Sequence, residues 1–285
     1  MSNIPSPASM SAVPGQRRPR SYRYLDLVTA MFVTVLLCSN LIGPGKACAF
    51  DLKWNIIPDW TWDRGWQWTN LLVFGAGNLF FPISYIFDDV LTEVYGYAKS
   101  RKVIWAGFGA MVFATFMAQV IIHLPLDPNE PFNKLMQPAL ETCFGPGPRI
   151  ILASMLAFWA GDFANSYVLA KMKILTKGRW LWTRTIGSTI VGEGLDSLIF
   201  YPIALTSWQP MLRALGITNA AILDFGKGWE AHTAVKIIIF NWLFKVAVEV
   251  VMTPATYAVC GWLKKAESEN YYDVGTNFNP FSLKD

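Results

Sequence analysis

The segment TIGSTIVGEGLD, residues 185–196, decides how this chain folds, because it places two acidic residues inside an apolar stretch of membrane length. Glu193 and Asp196 are three residues apart, so on a helix they share one face. A charged side chain at the centre of a bilayer costs about 3 kcal/mol even on lenient insertion scales, and such residues therefore face a polar cavity or a partner. The segment predicts a membrane helix that lines a polar site.

The composition agrees with this interpretation along the whole chain. Of 285 residues, 53% are hydrophobic and 15% are charged, whereas a soluble domain carries roughly 25% charged residues. We predict an all-α, polytopic membrane protein in contact with the lipid bilayer. Six segments are long enough to cross a hydrocarbon core of roughly 30 Å: Tyr22–Ile42, Trp68–Tyr95, Val103–Leu124, Pro148–Ala170, Thr183–Thr206 and Thr233–Leu263.

The positions of the basic residues predict the orientation of these six helices. Lys and Arg concentrate before the first segment, between the second and third, between the fourth and fifth, and after the sixth. Short cytoplasmic loops hold the excess of positive charge, so both termini should be cytoplasmic. We predict a disordered cytoplasmic tail over 1–21, a six-helix transmembrane domain over 22–265 and a cytoplasmic C-terminal tail over 266–285. The net charge of +4 is a topology signal and indicates no nucleic-acid partner.

Four cysteines are too few for a disulfide framework, and their spacing is not that of a metal site. Cys48 and Cys143 both fall in predicted outward loops, where an oxidising periplasm could join them. No metal or other cofactor is expected.

Polar residues of the second segment form a stripe. Tyr85, Asp89 and Glu93 recur at four-residue intervals, so they share one helical face. We expect Asp89 to point inward and Glu93, near the cytoplasmic end, to be hydrated. Pro82 should kink the helix.

The later segments add a second set of polar residues. Asp162 lies near the middle of the fourth segment, Ser188 beside Glu193 in the glycine-containing fifth, and Lys245 in the sixth. Lys245 is the expected counter-ion of the acids, although it could instead pair with Glu249 one turn on. Arg184 beside a basic loop should extend to the lipid headgroups. The predicted substrate-binding residues are Asn40, Tyr85, Asp89, Asp162, Ser188, Glu193, Asp196 and Lys245, and none is predicted to be catalytic.

Several of these residues stand in a recognisable set of short motifs. The set comprises Asn40, Phe81-Pro82, Asp89, Glu93-Val94-Tyr95-Gly96, Ser188-Thr189, Gly192, Asp196-Ser197, Phe244-Lys245, Pro254 and Tyr257. In these motifs the six-helix region resembles the queuosine precursor transporter family, which is similar to vitamin uptake transporters. The resemblance implies import of 7-cyano-7-deazaguanine or 7-aminomethyl-7-deazaguanine across the bacterial inner membrane for tRNA modification. Glu193 occupies a position where related sequences can carry a carboxamide.

The chemistry of the predicted residues suits such a ligand. A guanine-like edge presents N–H donors that pair with a carboxylate, here Asp196 or Glu193, while its carbonyl oxygen needs a donor such as Asn40 or Lys245. The flat ring favours an aromatic neighbour. The candidates for that neighbour are Tyr85, Trp159, Phe200 and Trp242.

Two other interpretations remain open at the level of sequence. The chain could be a carrier or a binding subunit for another small planar metabolite such as a vitamin, and it has no Gly-x-x-x-x-Gly-Lys-Ser/Thr motif with which to hydrolyse ATP itself. Alternatively, Asp89 and Asp196 could share a proton in an intramembrane enzyme. Leu195 argues against the enzyme interpretation, because intramembrane aspartyl proteases carry Gly immediately before the aspartate, where this chain has Leu195 before Asp196. Small residues on several helix faces are also compatible with a homodimer.

Overall fold

The computed structural model describes residues 22–41, 47–51, 71–75, 80–127, 129–144, 148–228 and 231–282. Within these ranges the chain forms α-helices and one two-stranded antiparallel sheet. The elements are α1 (Leu25–Leu41), β1 (Ala47–Asp51), β2 (Leu71–Gly75), α2 (Phe81–Val90), a π-helical turn (Leu91–Tyr95), α3 (Tyr97–His123), α4 (Asn133–Phe144), α5 (Pro148–Leu175), α6 (Leu181–Ala204), α7 (Gln209–Ala214), α8 (Ala220–Phe225) and α9 (Ala231–Glu267).

Two of these helices are long and apolar enough to cross a membrane by themselves, namely α3 and the part of α9 from Ile238 to Glu267. Helices α4 and α5 are bent by 45° with respect to each other and make a third candidate if they form one span. Helix α1 is apolar but shorter, and α6 has 24 residues with Arg184, Glu193 and Asp196 among them. The helical class of the bundle is confirmed, and its long apolar helices are those of a membrane protein.

The second predicted segment, Trp68–Tyr95, is not one helix. Leu71–Gly75 forms β2, which pairs with β1 in a register that places Ala47 opposite Gly75 and Asp51 opposite Leu71. A run of five apolar residues is compatible with a strand or a helix, so periodicity alone could not separate the two. The expected kink at Pro82 is also wrong, since Pro82 lies in the first turn of α2, where a missing backbone N–H costs nothing.

One buried carboxylate, that of Glu93 in the π-helical turn, ties four helical segments together. Arg184 of α6 donates two hydrogen bonds of 2.8 Å to its two oxygens. Lys264 of α9 also contacts this carboxylate, and Lys173 of α5 lies 3.5 Å away. Glu93 and Arg184 are almost completely buried, so the predictions that Glu93 is hydrated and that Arg184 extends to headgroups are wrong. Inside the bundle, the Glu93 carboxylate and the Arg184 guanidinium group neutralise each other more effectively than distant water could.

The helix ends gather at the same level as Glu93. The π-helical turn and α3 meet at Gly96, α5 ends near Lys173, α6 begins near Arg184, and α9 ends beyond Lys264. The start of α1 joins them, because the backbone N–H groups of Arg23 and Tyr24 donate to the carboxylate of Glu267. The segments α1, α2 with the π-helical turn, α3, α5, α6 and α9 therefore alternate in direction and share this end of the bundle.

The segment 268–282, which belongs to the predicted C-terminal tail, packs along α3 at this end. Arg101 donates to the carbonyl oxygens of Asn277 and Asn279 at 2.7 and 2.9 Å, and the Trp105 indole N–H donates to that of Pro280 at 2.8 Å. Asp273 accepts the backbone N–H of Tyr97 at 3.1 Å, and its burial raises the pKa of its carboxyl group. Side chains of α3 thus hold several of the backbone carbonyls of this segment.

Two predictions fall partly outside the described residues. The tail over residues 1–21 is not described. Cys143 is a free and exposed thiol, whereas the side chain of Cys48, its proposed partner, lies outside the described part of the chain.

Replacing Glu93 should destabilise the bundle strongly. In a Glu93→Gln variant the positive charges of Arg184, Lys173 and Lys264 lose their common anion, and breaking a buried ion pair from one side costs about 3–5 kcal/mol. Unfolding of the detergent-purified protein by denaturant measures this loss. The matched control is Asp224→Asn, which removes an acid from an exposed pair with Lys227 and should change stability by less than about 1 kcal/mol. Equal effects of the two substitutions would contradict the role of Glu93.

Candidate functional site

Two glycines let α5 and α6 approach each other closely. A Cβ atom on Gly192 would lie 2.8 Å from the Cβ of Asn165 and 2.9 Å from the carbonyl oxygen of Gly161. A Cβ atom on Gly161 would in turn lie 3.1 Å from the carbonyl oxygen of Gly192 and 3.2 Å from the Cβ of Asp196. Small residues at such a crossing bring the helix backbones together. The crossing therefore sets the acid and amide of α5 beside the acids of α6.

Lys245 of α9 completes a three-residue cluster with the acids of α6. Its ammonium group contacts the Glu193 carboxylate and lies 3.0 Å from Oδ2 of Asp196. Lys245 and Glu193 are buried, while the Asp196 side chain remains 25% exposed. Lys245 thus pairs across to α6 instead of with Glu249 on its own helix. Two carboxyl groups of α6 thus share one ammonium group of α9.

A second polar group joins α2 to α5. Asn165 donates from Nδ2 to Oδ2 of Asp88 at 2.5 Å and lies 3.5 Å from Oδ1 of Asp89. The Ser166 hydroxyl donates to the other oxygen of Asp88 at 3.1 Å and also bonds to the hydroxyl of Ser100. Asp88 thus reaches the neighbouring helix α5. The fully buried Asp89 interacts with Glu249 of α9.

Several buried polar atoms near these groups have no hydrogen-bond partner among the described residues. They are Trp159 Nε1, Asp162 Oδ2, Asn165 Oδ1, Thr189 Oγ1 and Ser197 Oγ. Buried polar atoms in native proteins are nearly always paired, so each unpaired one calls for a physical reason. This set contains donors and acceptors, which is what a polar ligand with both kinds of group requires.

The structure brings together four of the predicted site residues. Glu193, Asp196 and Lys245 are in contact, and Asp162 interacts electrostatically with Asp196 and Lys245. Asp89 is linked to this group through Asn165, which also packs against Gly192. The acids and the lysine thus converge on one region between α2, α5, α6 and α9.

Three other predicted residues are placed differently. Asn40 donates to the carbonyl oxygen of Leu36 and accepts from the hydroxyl of Ser154, which precedes Asp162 by eight residues, or about 12 Å along α5. The Ser188 hydroxyl donates to the carbonyl oxygen of Thr185 in its own helix. Tyr85 is buried on α2, one turn before Asp89. The structure therefore does not bring Asn40 to the acid cluster.

The aromatic residues predicted to stack on the ligand lie in different environments. Trp159 precedes Asp162 by three residues, and its ring lies 5.3 Å from that of Phe163 and 5.5 Å from that of Phe281. Trp242 donates its indole N–H to the carbonyl oxygen of Ile190 at 3.0 Å. Phe200 packs against the ring of Tyr201 at 5.3 Å. Of these three rings, only Trp159 has a buried indole N–H without a partner among the described residues.

The prediction of the site left out Asp88, Asn165 and Glu249. Each was visible as a polar residue in an apolar helix, and Asn165 follows Asp162 by one turn. Their relative depth was the usable signal, because Asp88, Asn165 and Glu249 all lie at intermediate positions between the helix ends. A comparison of polar residues by depth across helices would have grouped them.

The fold and the site define a class of protein, an α-helical membrane protein with a buried, acid-rich polar site. Residues 75–259 match the model of a family described as "Putative vitamin uptake transporter". The chain belongs to this family, so it is a transporter and not an enzyme. It is also 34% identical over 184 residues to a Bacillus subtilis (strain 168) protein named "Probable queuosine precursor transporter", an alignment that covers 64% of this chain and 69% of that protein. The resemblance inferred from the motifs is thereby confirmed. No solved structure matches the chain.

A double-mutant cycle should reveal the coupling between Lys245 and Glu193. Lys245→Met leaves two carboxylates without their cation and should destabilise the protein by about 3–5 kcal/mol. Glu193→Gln should cost less, since Lys245 keeps Asp196. Because the double variant removes the cation and one acid together, its loss should be smaller than the sum of the two single losses. Denaturant unfolding in detergent measures all three. Strict additivity would mean that the two side chains do not interact.

Proposed function

We propose that this protein imports queuosine precursors, 7-cyano-7-deazaguanine or 7-aminomethyl-7-deazaguanine, across the bacterial inner membrane to supply tRNA modification. The name of the Bacillus subtilis relative supports this substrate class. The observation that carries the proposal is the convergence of buried charges and unpaired polar atoms between α5, α6 and α9. A 7-deazaguanine has a matching set of donors and acceptors around a flat ring.

In this proposal the exposed part of the Asp196 carboxylate receives the N–H donors of the guanine-like edge. A carboxylate accepts two parallel N–H donors well, and Asp196 retains 25% exposure while still paired with Lys245. Lys245 acts mainly as the internal counter-ion of Glu193 and Asp196. The ligand's carbonyl oxygen then takes its hydrogen bond from a buried donor such as Trp159 Nε1 or the Ser197 hydroxyl.

The proposed transporter has six spans, with both termini in the cytoplasm. The spans are α1, α2 with the π-helical turn, α3, α5, α6 and α9. Their alternating directions and common end near Glu93 support this topology, and the basic residues concentrate at that end. The positive-inside rule assigns that end to the cytoplasm. The homodimer expected from small residues stays a prediction.

The other sequence-based interpretations are less favoured. A vitamin or another planar metabolite would suit the family description but gains no further support from the site. For the enzyme alternative, Asp89 and Asp196 would have to share a proton. Asp89 interacts with Glu249 and Asn165, whereas Asp196 pairs with Lys245.

Uptake by the purified protein in vesicles tests the proposed substrate. The wild type should accumulate both radiolabelled 7-deazaguanines without a pH gradient until the concentrations inside and outside are equal. Asp196→Asn should lower the initial rate at least about tenfold, because the amide has an NH2 donor in place of one of the two acceptor oxygens that the ligand needs. Asp224→Asn, on the exposed helix α8, is the matched control and should transport normally. Absence of uptake by the wild type would refute the substrate, and normal uptake by Asp196→Asn would remove that residue from the site.

Cysteine labelling in cells tests the proposed topology. In a background without Cys38, Cys48, Cys143 and Cys260, a single cysteine is introduced by Asp127→Cys or by Arg179→Cys, both at exposed positions. A maleimide that cannot cross membranes should label the first variant in intact cells and the second only after permeabilisation. The reverse pattern would invert the topology, and the same pattern in both variants would rule out the proposed number of crossings between the two positions.

A further inference from the structure

Two buried carboxyl groups lie between the Lys245 cluster and the end of the bundle that contains Glu93. Asp89 of α2 and Glu249 of α9 are each fully buried and interact with one another. Oδ2 of Asp89 and both carboxylate oxygens of Glu249 have no hydrogen-bond donor among the described residues. The charged groups that act on Asp89 are themselves acids, namely Glu249, Asp88 and Glu93. Among the described residues, this pair therefore has no basic side chain to neutralise it.

Three other buried acids of the bundle have cations or hydrogen-bond donors as partners. Glu93 has Arg184, Lys173 and Lys264, and Glu193 has Lys245. Asp88 accepts hydrogen bonds from Asn165 and Ser166. Two adjacent carboxylates in a low-dielectric interior cannot both hold their charge without a cation or a shared proton. Without a cation, the empty pair must share a proton, and a cationic group of a ligand can take the place of that proton.

An independent observation comes from Asn165, which contacts Asp89 and is only 5% exposed. Its nitrogen is engaged by the two aspartates, and its Oδ1 is a buried acceptor without a partner among the described residues. The neighbourhood of the pair thus offers several acceptors and a negative charge. A primary ammonium group has three N–H donors and one positive charge, so it is the ligand group that fits this chemistry.

We propose that Asp89 and Glu249 bind a primary ammonium group of the transported molecule and thereby select the aminomethyl precursor over the cyano precursor. The inference rests on the proposed function, and it assigns to these two residues the choice between the two ligands. An aminomethyl group is protonated at neutral pH, as a lysine side chain is, whereas a nitrile is neutral and has no N–H. A nitrile leaves the pair without its positive charge.

The position of the pair suits a ligand that also reaches Asp196. Glu249 follows Lys245 by four residues on α9, which is one turn or about 6 Å along the axis. The guanine-like edge can therefore bind at the level of Lys245 while a substituent on the far side of the ring points to Asp89 and Glu249.

Substitution of the pair should affect the two ligands differently. In vesicles, Asp89→Asn and Glu249→Gln should each raise the half-saturation concentration for 7-aminomethyl-7-deazaguanine by about 10- to 100-fold. This factor corresponds to the loss of one hydrogen bond to a charged group. Uptake of 7-cyano-7-deazaguanine should change by less than about threefold, since it loses no charged contact. Asp224→Asn is the control for both ligands, and a melting curve in detergent verifies that each variant is folded.

A measurement on the wild type alone keeps the inference testable if both variants fail to fold. Unlabelled 7-aminomethyl-7-deazaguanine should compete with labelled 7-cyano-7-deazaguanine about 10- to 100-fold better than the neutral 7-methyl analogue does. Equal competition, or equal losses for both ligands in folded variants, would overturn the role of the pair while leaving the proposed function intact. Uptake of neither precursor by the wild type would instead refute the proposed function and, with it, this inference.

Discussion

The close approach of α5 and α6 at Gly161 and Gly192 is the contact on which the rest of the site depends. A side chain at Gly192 would collide with Asn165 and with the α5 backbone, so any larger residue would push the helices apart. Separation would move Asp162 and Asn165 away from Glu193 and Asp196. Asn165 would then also lose its reach to Asp88 and Asp89, so the crossing indirectly sets the position of α2 against α5.

The charges within the bundle divide into two clusters with opposite balance. Around Glu93, Arg184, Lys173 and Lys264 supply more positive charge than one carboxylate needs, and backbone carbonyls of neighbouring turns accept their remaining hydrogens. The central region has the reverse balance. It contains six acids around Lys245: Asp88, Asp89, Asp162, Glu193, Asp196 and Glu249. A saturated cluster holds helices together, whereas an acid-rich cluster with unpaired oxygens is suited to a ligand that brings donors.

The sequence alone was sufficient for the helical class and for much of the central site. A carboxylate in a membrane-length apolar segment has few possible partners that could neutralise it, so Glu193, Asp196 and Lys245 could be assigned to one another from chemistry. The environments of Glu93 and Arg184 could not be predicted in this way, because the two residues are 91 positions apart and each lies beside a basic loop that offers a simpler explanation. The strand at Leu71–Gly75 was missed because five apolar residues have no distinguishing period. The contact of Asn40 with Ser154 could not be predicted, because one sequence does not specify which residues of α1 and α5 face each other.

The pairing of Lys245 with both acids of α6 has a consequence for how tightly a ligand can bind. A ligand that takes hydrogen bonds from Asp196 competes with an ammonium group already 3.0 Å from that carboxylate. The empty site is therefore partly neutralised, which lowers the cost of burying its acids in the absence of cargo. Net binding is then the difference between two charge-assisted interactions and is weaker than the ligand's own interaction with Asp196. A transporter requires this balance, because its site must bind well enough to load and weakly enough to release.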